Sequence, residues 1–449
     1  MTGATLSRWT MSYFTAALLS LVAAELLMAL GFGFPGAAVI APDTLVLVHL
    51  VTIGWLSLAL CGALFQFVPV LIAAPLQGDR TPVIALVLLV TGLASLVLGF
   101  LQLGDRVHLE LPLLTVAAVL LGTGFALVIA SLARTLWHAR PFPLPARFVA
   151  AGLASAGAAV TLGAAFALVL DGTIDTRGDR DLVTSSLPIH VVAGLGGWLT
   201  VTAAGISYRL LAMFMLAPDV HPASGARTLR LATAALALVI GGGLGSVALD
   251  WPLHPVLALA MVAGAAALAL YGRDVIRLYR ARKRKALELN SRMTALALGN
   301  LALAAVLTIG LAIAGRLFDH VPAIVFLTAF GWLSGLILAK MYKIVAFLTW
   351  LECYGPVLGK APTPRVQDLV AERTAGRWFL AFFAGVWSAT AALLLGHATL
   401  FQGAAFGMTV ATCGIIAELI KSRKLTRVSG SQRGQVAAPR LLYSSNRPT

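Results

Sequence analysis

The sequence predicts an all-α integral membrane protein with about twelve transmembrane helices. Hydrophobic residues make up 59% of the 449 positions and charged residues only 11%, and the mean hydropathy is +0.91. Apolar runs of about 20 residues, the length that crosses a hydrocarbon core, recur along the chain. We expect each run to be helical, because lipid offers the backbone no other hydrogen-bond partner.

The apolar runs follow one another over most of the chain. They cover roughly residues 12-33, 45-74, 82-103, 110-134, 146-170, 186-217, 228-249, 253-277, 293-315, 321-351, 377-397 and 400-421. No small-residue cleavage site follows the polar start MTGATLSRW, so the first run is predicted to be a retained helix. The polar segment 426-449 is predicted to be a disordered, basic cytoplasmic tail.

The basic residues predict a topology and give no reason to expect a nucleic-acid partner, although the net charge is +15. If twelve helices begin and end inside, the outer loops hold only Arg106, Arg177, Arg180 and Arg316 of the 33 basic residues. An excess of Lys and Arg marks cytoplasmic loops. The sequence therefore predicts a multi-pass protein in a lipid bilayer, with both termini in the cytoplasm.

A short string is repeated three times, on the second, sixth and tenth predicted helices. The copies are Gly54–Ser57, Gly197–Thr200 and Gly331–Ser334, each of the form GWL[ST]. Seven residues after each Trp stands a small residue, which permits close helix approach. Repetition every four helices predicts three pseudo-symmetric four-helix units, about 1-140, 141-288 and 289-425, around a pseudo-threefold axis.

Two histidines precede the repeated tryptophans at comparable depth in the predicted membrane. His49 stands six residues before Trp55, and His190 stands eight before Trp198. Both are predicted to lie a turn or so from the outer face, where two imidazoles could coordinate one metal centre. A copper or zinc site is one alternative, and simple hydrogen bonding to a neighbouring helix is another.

These motifs resemble subunit I of the haem–copper oxidases, most nearly the bacterial cbb-type. The tenth helix of that family carries the pattern H-x-H-x4-G-W-x6-G-x2-Y-x3-P. Phe65 stands where the pattern has its Tyr. The matching residues are His49, Gly54, Trp55, Gly62 and Pro69 on the second helix and His190, Gly197, Trp198, Gly205 and Tyr208 on the sixth.

The resemblance implies a haem site. In that family a low-spin haem near the outer face is held by histidines of helices 2 and 10, and the His49 and His190 pair looks like that site rotated by one unit. The resemblance thus implies one low-spin haem b on these two ligands, with Trp55 and Trp198 packing nearby. It also implies a bacterial inner-membrane protein for electron transfer or redox or ligand sensing, with respiratory-chain subunits, or a cytochrome c or quinol donor, as partners.

The sequence also departs from the family. The family binds copper with one histidine of helix 6 and a His-His pair of helix 7, but the seventh run here, LATAALALVIGGGLGSVALD, has no histidine. Neither copper nor oxygen reduction by the family's mechanism is therefore expected, and enzymatic activity is left open. Two alternatives remain: a transporter of copper or a small solute, and a degenerate oxidase subunit that acts as an assembly or regulatory partner.

Glu25 is an acidic residue near the middle of the first run, within LVAAELLMAL. A charged carboxylate there would cost about 2.5 kcal/mol or more on insertion scales. We expect either a proton relay or a neutral acid that is hydrogen-bonded to a neighbouring helix. Asn300, in the ninth run, is a weaker candidate of the same kind.

Overall fold

The computed structural model describes residues 8–138, 140–174, 185–433, 436 and 439–442. Over these residues the regular secondary structure is helical and no strand is present. In this described part of the chain, twelve helices are long and apolar enough to cross a membrane. The predicted fold class, an all-α protein of twelve spans, is therefore confirmed.

The twelve long helices are numbered α1 to α12 in chain order. Their bounds are Thr10–Ala29, Pro42–Ile72, Thr81–Leu103, Leu113–Trp137, Leu144–Leu170, Ser185–Met215, Pro222–Ala248, His254–Arg280, Leu289–Ile313, Leu317–Val357, Glu372–Leu395 and Ala398–Arg423. Each predicted run lies on one of them. Several helices extend beyond their apolar run into charged residues.

The extensions follow ordinary rules for helix ends. Pro42 begins α2 at the first helical position, where its missing N–H leaves no hydrogen bond unmade. Arg277 and Arg280 lie in the last turn of α8, where cations are favoured by the helix dipole. Their long side chains also allow the charged groups to reach water beyond an apolar helix face.

Three helices contain wide, π-helical stretches at equivalent places. These are Leu50–Ser57 in α2, Val192–Val201 in α6 and Leu327–Ser334 in α10. Each includes one copy of the GWL[ST] string. A fourth, shorter stretch lies at Leu238–Gly242 in α7. The repeated sequence therefore coincides with a repeated backbone geometry that is rare in proteins and frequent at functional sites.

The chain divides into two compact units. The first is Phe67–Leu287, in which α3 packs on α4, α4 on α5, α5 on α6 and α7 on α8. The second comprises Thr5–Gln66 and Glu288–Thr449, in which α1 packs on α2 and α12, α9 on α10 and α11 on α12. The three four-helix units, about 1-140, 141-288 and 289-425, stay a prediction.

Small residues seven positions after the repeated tryptophans lie at close helix contacts. A β-carbon at Gly62 would stand 2.6 Å from Cβ of Tyr13 on α1. A β-carbon at Gly205 would overlap the Phe148 side chain on α5. Both copies thus use glycine to let an aromatic residue of the preceding helix approach the backbone, as the sequence predicts.

The residues after α12 continue along the second unit. Leu425 and Val428 are buried in an apolar cluster with Leu369, and a short helix covers Gly430–Arg433. Residues 443–449 of the predicted disordered tail lie outside the described residues, as do 434, 435, 437 and 438. The predicted outer-loop residues Arg177 and Arg180 also lie outside them.

Candidate functional site

His190 is held by a hydrogen bond across two helices of the first unit. It lies in the second turn of α6, and its Nδ1 is 3.0 Å from the carbonyl oxygen of Ala159 on α5. A carbonyl only accepts, so Nδ1 must carry the proton in this bond. The bond therefore fixes the neutral tautomer in which Nε2 holds the lone pair.

Helix α5 also shapes the space around the His190 ring. A β-carbon at Gly163 would stand 3.0 Å from Cε1 of His190. The Phe166 ring meets the imidazole edge-on, with 5.4 Å between ring centroids. A carbonyl, a glycine and an aromatic ring of α5 together set the direction of this side chain.

His49 has the same tautomer for a local reason. Its Nδ1 is 2.8 Å from the carbonyl oxygen of Leu45, one turn earlier in α2. The lone pair is again on Nε2. His49 directly precedes the wide stretch Leu50–Ser57, and His190 stands two residues before the wide stretch Val192–Val201. Both histidines thus lie at the beginning of a π-helical segment.

Both imidazoles fit the chemistry of a metal or haem ligand. Histidines that bind metals usually donate their other ring N–H to a carbonyl or carboxylate, which fixes the ring and raises its basicity. In the described part of the chain, no three or more His, Cys, Asp or Glu residues lie together so that they could hold a metal ion. His49 belongs to the second unit and His190 to the first, and their pairing stays a prediction.

Trp55 is fully buried and connects two copies of the repeat within the second unit. Its indole Nε1 donates to Oγ of Ser334 over 2.7 Å. The Ser334 hydroxyl donates to the carbonyl oxygen of Ala329, five residues earlier, over 2.7 Å. Ser57 repeats this last bond with Thr52 at the same distance. In these two copies the last residue of the repeated string therefore bonds to the backbone of the wide stretch.

Trp198, the equivalent residue of the first unit, is also buried. The preceding Gly197 lies so close to Ser155 of α5 that a β-carbon there would overlap its side chain. Close contact between α5 and α6 therefore fixes the backbone that carries Trp198. The packing of Trp55 and Trp198 beside a cofactor stays a prediction.

Glu25 is fully buried between α1 and α12 of the second unit. Thr412 donates its hydroxyl to Oε1 of Glu25 over 3.0 Å. No hydrogen-bond partner for Oε2 is found among the described residues. Since burying a charged carboxylate with one hydrogen bond is costly, this environment favours the neutral acid. The hydrogen bond to a neighbouring helix matches one of the two predicted roles.

Asn300, a buried polar residue of α9, is hydrogen-bonded to two neighbouring helices. Its Nδ2 donates to the carbonyl oxygen of Gly331, in the wide stretch of α10, over 3.3 Å. Its Oδ1 accepts from the indole Nε1 of Trp387 on α11 over 2.8 Å. One amide thus holds three helices of the second unit together.

A buried carboxylate in the first unit was not predicted. Asp274 accepts from the Ser224 hydroxyl at 2.7 Å and 2.9 Å and from the Tyr208 hydroxyl at 3.3 Å. Arg277 lies 3.8 Å from the same carboxylate. Asp274 did not stand out in the sequence because it lies within the charged run RDVIRLYR at the end of α8. The network joins α6, α7 and α8.

Comparisons with known proteins establish the fold. No known family profile and no curated protein matches the chain. Solved structures do match, among them a heme-copper terminal oxidase dimer determined by cryo-EM, with a TM-score of 0.66 and 15% sequence identity. The match covers 97% of this chain and 85% of that chain. This chain therefore has the fold of a haem–copper terminal oxidase.

Proposed function

We propose that this protein binds one low-spin haem b and belongs to the haem–copper oxidase superfamily. His49 and His190 are the proposed ligands of the haem iron. The observation that carries the proposal is that each imidazole donates from Nδ1 to a backbone carbonyl, so that Nε2 is prepared for a metal. The oxidase fold supports it. Haem b, when bound, would supply a one-electron carrier whose potential depends on its axial imidazoles.

The protein residues around each histidine orient the ring and maintain its basicity. The carbonyls of Leu45 and Ala159 keep a proton on Nδ1. Gly163 leaves room for the His190 ring. Trp55 and Trp198 are the proposed aromatic neighbours of the cofactor, and the hydrogen bond from Trp55 to Ser334 limits rotation of its indole.

The proposed role is electron transfer or sensing of a redox state or ligand, and not oxygen reduction. α7, Pro222–Ala248, contains no histidine for copper. In α10 the sole histidine is His320, three residues after the helix begins at Leu317. The proposed location is a bacterial inner membrane with cytoplasmic termini. Respiratory-chain subunits, or a cytochrome c or quinol donor, are the proposed partners.

Glu25 is proposed to lose its proton when the haem is oxidised, because a nearby positive charge would favour the carboxylate, and to regain it when the haem is reduced. Thr412 stabilises one carboxyl oxygen, and the other has no partner among the described residues. We expect the midpoint potential of the wild-type haem to fall with rising pH, because reduction draws in a proton. Glu25→Gln would flatten this dependence, whereas an unchanged slope would show that Glu25 has only a packing role.

Optical spectra test the proposal directly. The purified protein, oxidised and reduced, is compared with His49→Ala, His190→Ala and, as a control, His320→Ala. We expect a reduced low-spin b-type spectrum that is lost in either of the first two variants and kept in the control. A spectrum retained in both variants would refute the ligand assignment.

The same preparation separates the alternatives. Wild-type protein without haem, after expression with ample haem supply, would overturn the proposal. Uptake of copper or a small solute by such protein would then favour a transporter. Co-purification with oxidase subunits and no cofactor would favour an assembly or regulatory subunit.

A further inference from the structure

A small polar cavity lies in the second unit, at the end where α9 and α11 begin. The volume that the centre of a water molecule can occupy there is about 10 Å³. This is about the space that one water molecule needs. The polar residues that line it are Glu288, Asn290, Tyr342, Lys343, Gln367 and Glu372.

Two of the lining side chains are buried without a protein partner. Asn290 is 2% exposed, and neither its amide nitrogen nor its amide oxygen forms a hydrogen bond to the described chain. Tyr342 is 3% exposed, and its hydroxyl likewise forms none. A buried polar group that gives up water without a replacement destabilises the folded state. These atoms therefore require a ligand that the described part of the chain does not supply.

The charged residues of the cavity balance one another. Lys343 Nζ lies 2.7 Å from Oε2 of Glu288. Glu372 accepts from the Leu289 backbone N–H over 3.1 Å, and its second oxygen lies 3.5 Å from Arg292. Each carboxylate thus has a cation beside it. A metal cation would compete with these ion pairs, and an anion would meet two carboxylates.

The ligand must be neutral, small, and able both to donate and to accept. Asn290 offers two N–H donors and one acceptor, and the Tyr342 hydroxyl can do either. We propose that the cavity binds water, and that this water supplies the hydrogen bonds of Asn290 and Tyr342 beside the Lys343 and Glu288 ion pair. The bound water joins the beginning of α9 to the middle of α10.

Asn300 is a matched control for Asn290. The two amides lie on the same helix and are equally buried, at 2% exposure. Asn300, however, is hydrogen-bonded through both amide atoms to protein groups. A leucine in place of Asn300 removes protein hydrogen bonds, whereas a leucine in place of Asn290 removes the proposed water contact.

X-ray radiolysis of the full-length protein in detergent tests the proposal, since bound water yields hydroxyl radicals that label adjacent side chains. We expect Tyr342 to be labelled at least about fivefold more than Tyr208, which is equally buried at 3% but donates to Asp274. Asn290→Leu should lower Tyr342 labelling to the Tyr208 level, and Asn300→Leu should leave it unchanged. Equal labelling of the two tyrosines in the wild type would overturn the proposal.

A density map of the wild-type protein gives a second measurement that needs no variant. At a resolution that shows other buried waters, we expect density within hydrogen-bond distance of the Asn290 amide and the Tyr342 hydroxyl. No density at that place would overturn the proposal, even if Asn290→Leu failed to fold.

Discussion

Replacing Gly163 on α5 should displace the His190 ring while leaving the histidine itself unchanged. A β-carbon at 163 would stand 3.0 Å from Cε1 of His190, closer than the usual contact of about 3.5–4.0 Å between carbon atoms. Alanine therefore requires a shift of a few tenths of an ångström. Leucine adds three further carbons, and the ring must then move away from the Ala159 carbonyl.

The size of the effect follows from the cost of overpacking, which is about 1–3 kcal/mol. A tenfold change in affinity corresponds to about 1.4 kcal/mol, so Gly163→Leu should weaken haem binding by about 5-fold to 150-fold. The assay is the ratio of haem to protein after purification, together with the reduced spectrum. Gly163→Ala should keep its haem and show only a small change in midpoint potential.

Gly157 provides the control on the same helix. A β-carbon there would meet no atom within 4 Å, so Gly157→Leu should retain full haem. Both substitutions remove a glycine from the interior of α5, so their effects on helix propensity are comparable. Full haem content and an unchanged spectrum in Gly163→Leu would refute the reasoning. Equal haem loss in Gly157→Leu would refute it as well.

Two further predictions concern stability in detergent, measured by thermal unfolding. Trp55→Phe and Ser334→Ala should each lower the free energy of unfolding by about 1–3 kcal/mol, because each removes one side of a buried hydrogen bond. The double variant should lose less than the sum of the two single losses. Strict additivity of the two losses would contradict the hydrogen bond. Arg423→Met should cost about 3–5 kcal/mol, because it leaves the buried Glu352, 2.9 Å from Arg423, without its cation. Arg423→Met combined with Glu352→Leu should recover much of the loss, and no recovery would contradict the pairing.

The membrane-spanning helices could be predicted because lipid imposes one solution on every long apolar run. Their ends could not. The tenth run was predicted to end at 351, but α10 continues to Val357. Its last turns contain Glu352, which pairs with Arg423 of α12. A helix end that depends on a residue about seventy positions away is not encoded in local hydropathy.

Some features of the candidate site could likewise be predicted from the sequence, and others could not. His49 and His190 could be singled out because an imidazole is unusual at that depth in an apolar run. The role of Gly163 could not, since it depends on which face of α5 meets α6. Asn290 and Asn300 make the point most directly: on the same helix, the Asn290 amide has no hydrogen-bond partner among the described residues, whereas the Asn300 amide is hydrogen-bonded through both atoms.

The wide stretches of α2, α6 and α10 also determine how these helices can be altered. An α-helix turns by about 100° per residue, and a wide stretch absorbs residues without that regular advance. The part of α2 that carries His49 therefore has its own rotational phase relative to the part beyond Ser57. Deleting one residue within Leu50–Ser57 would let the stretch return to α-helical winding and leave His49 near its present direction, whereas the same deletion in an ordinary α-helical part would turn the imidazole by about 100° relative to the residues beyond it. The wide stretch therefore allows α2 to gain or lose one residue while the histidine stays on the same face of the helix.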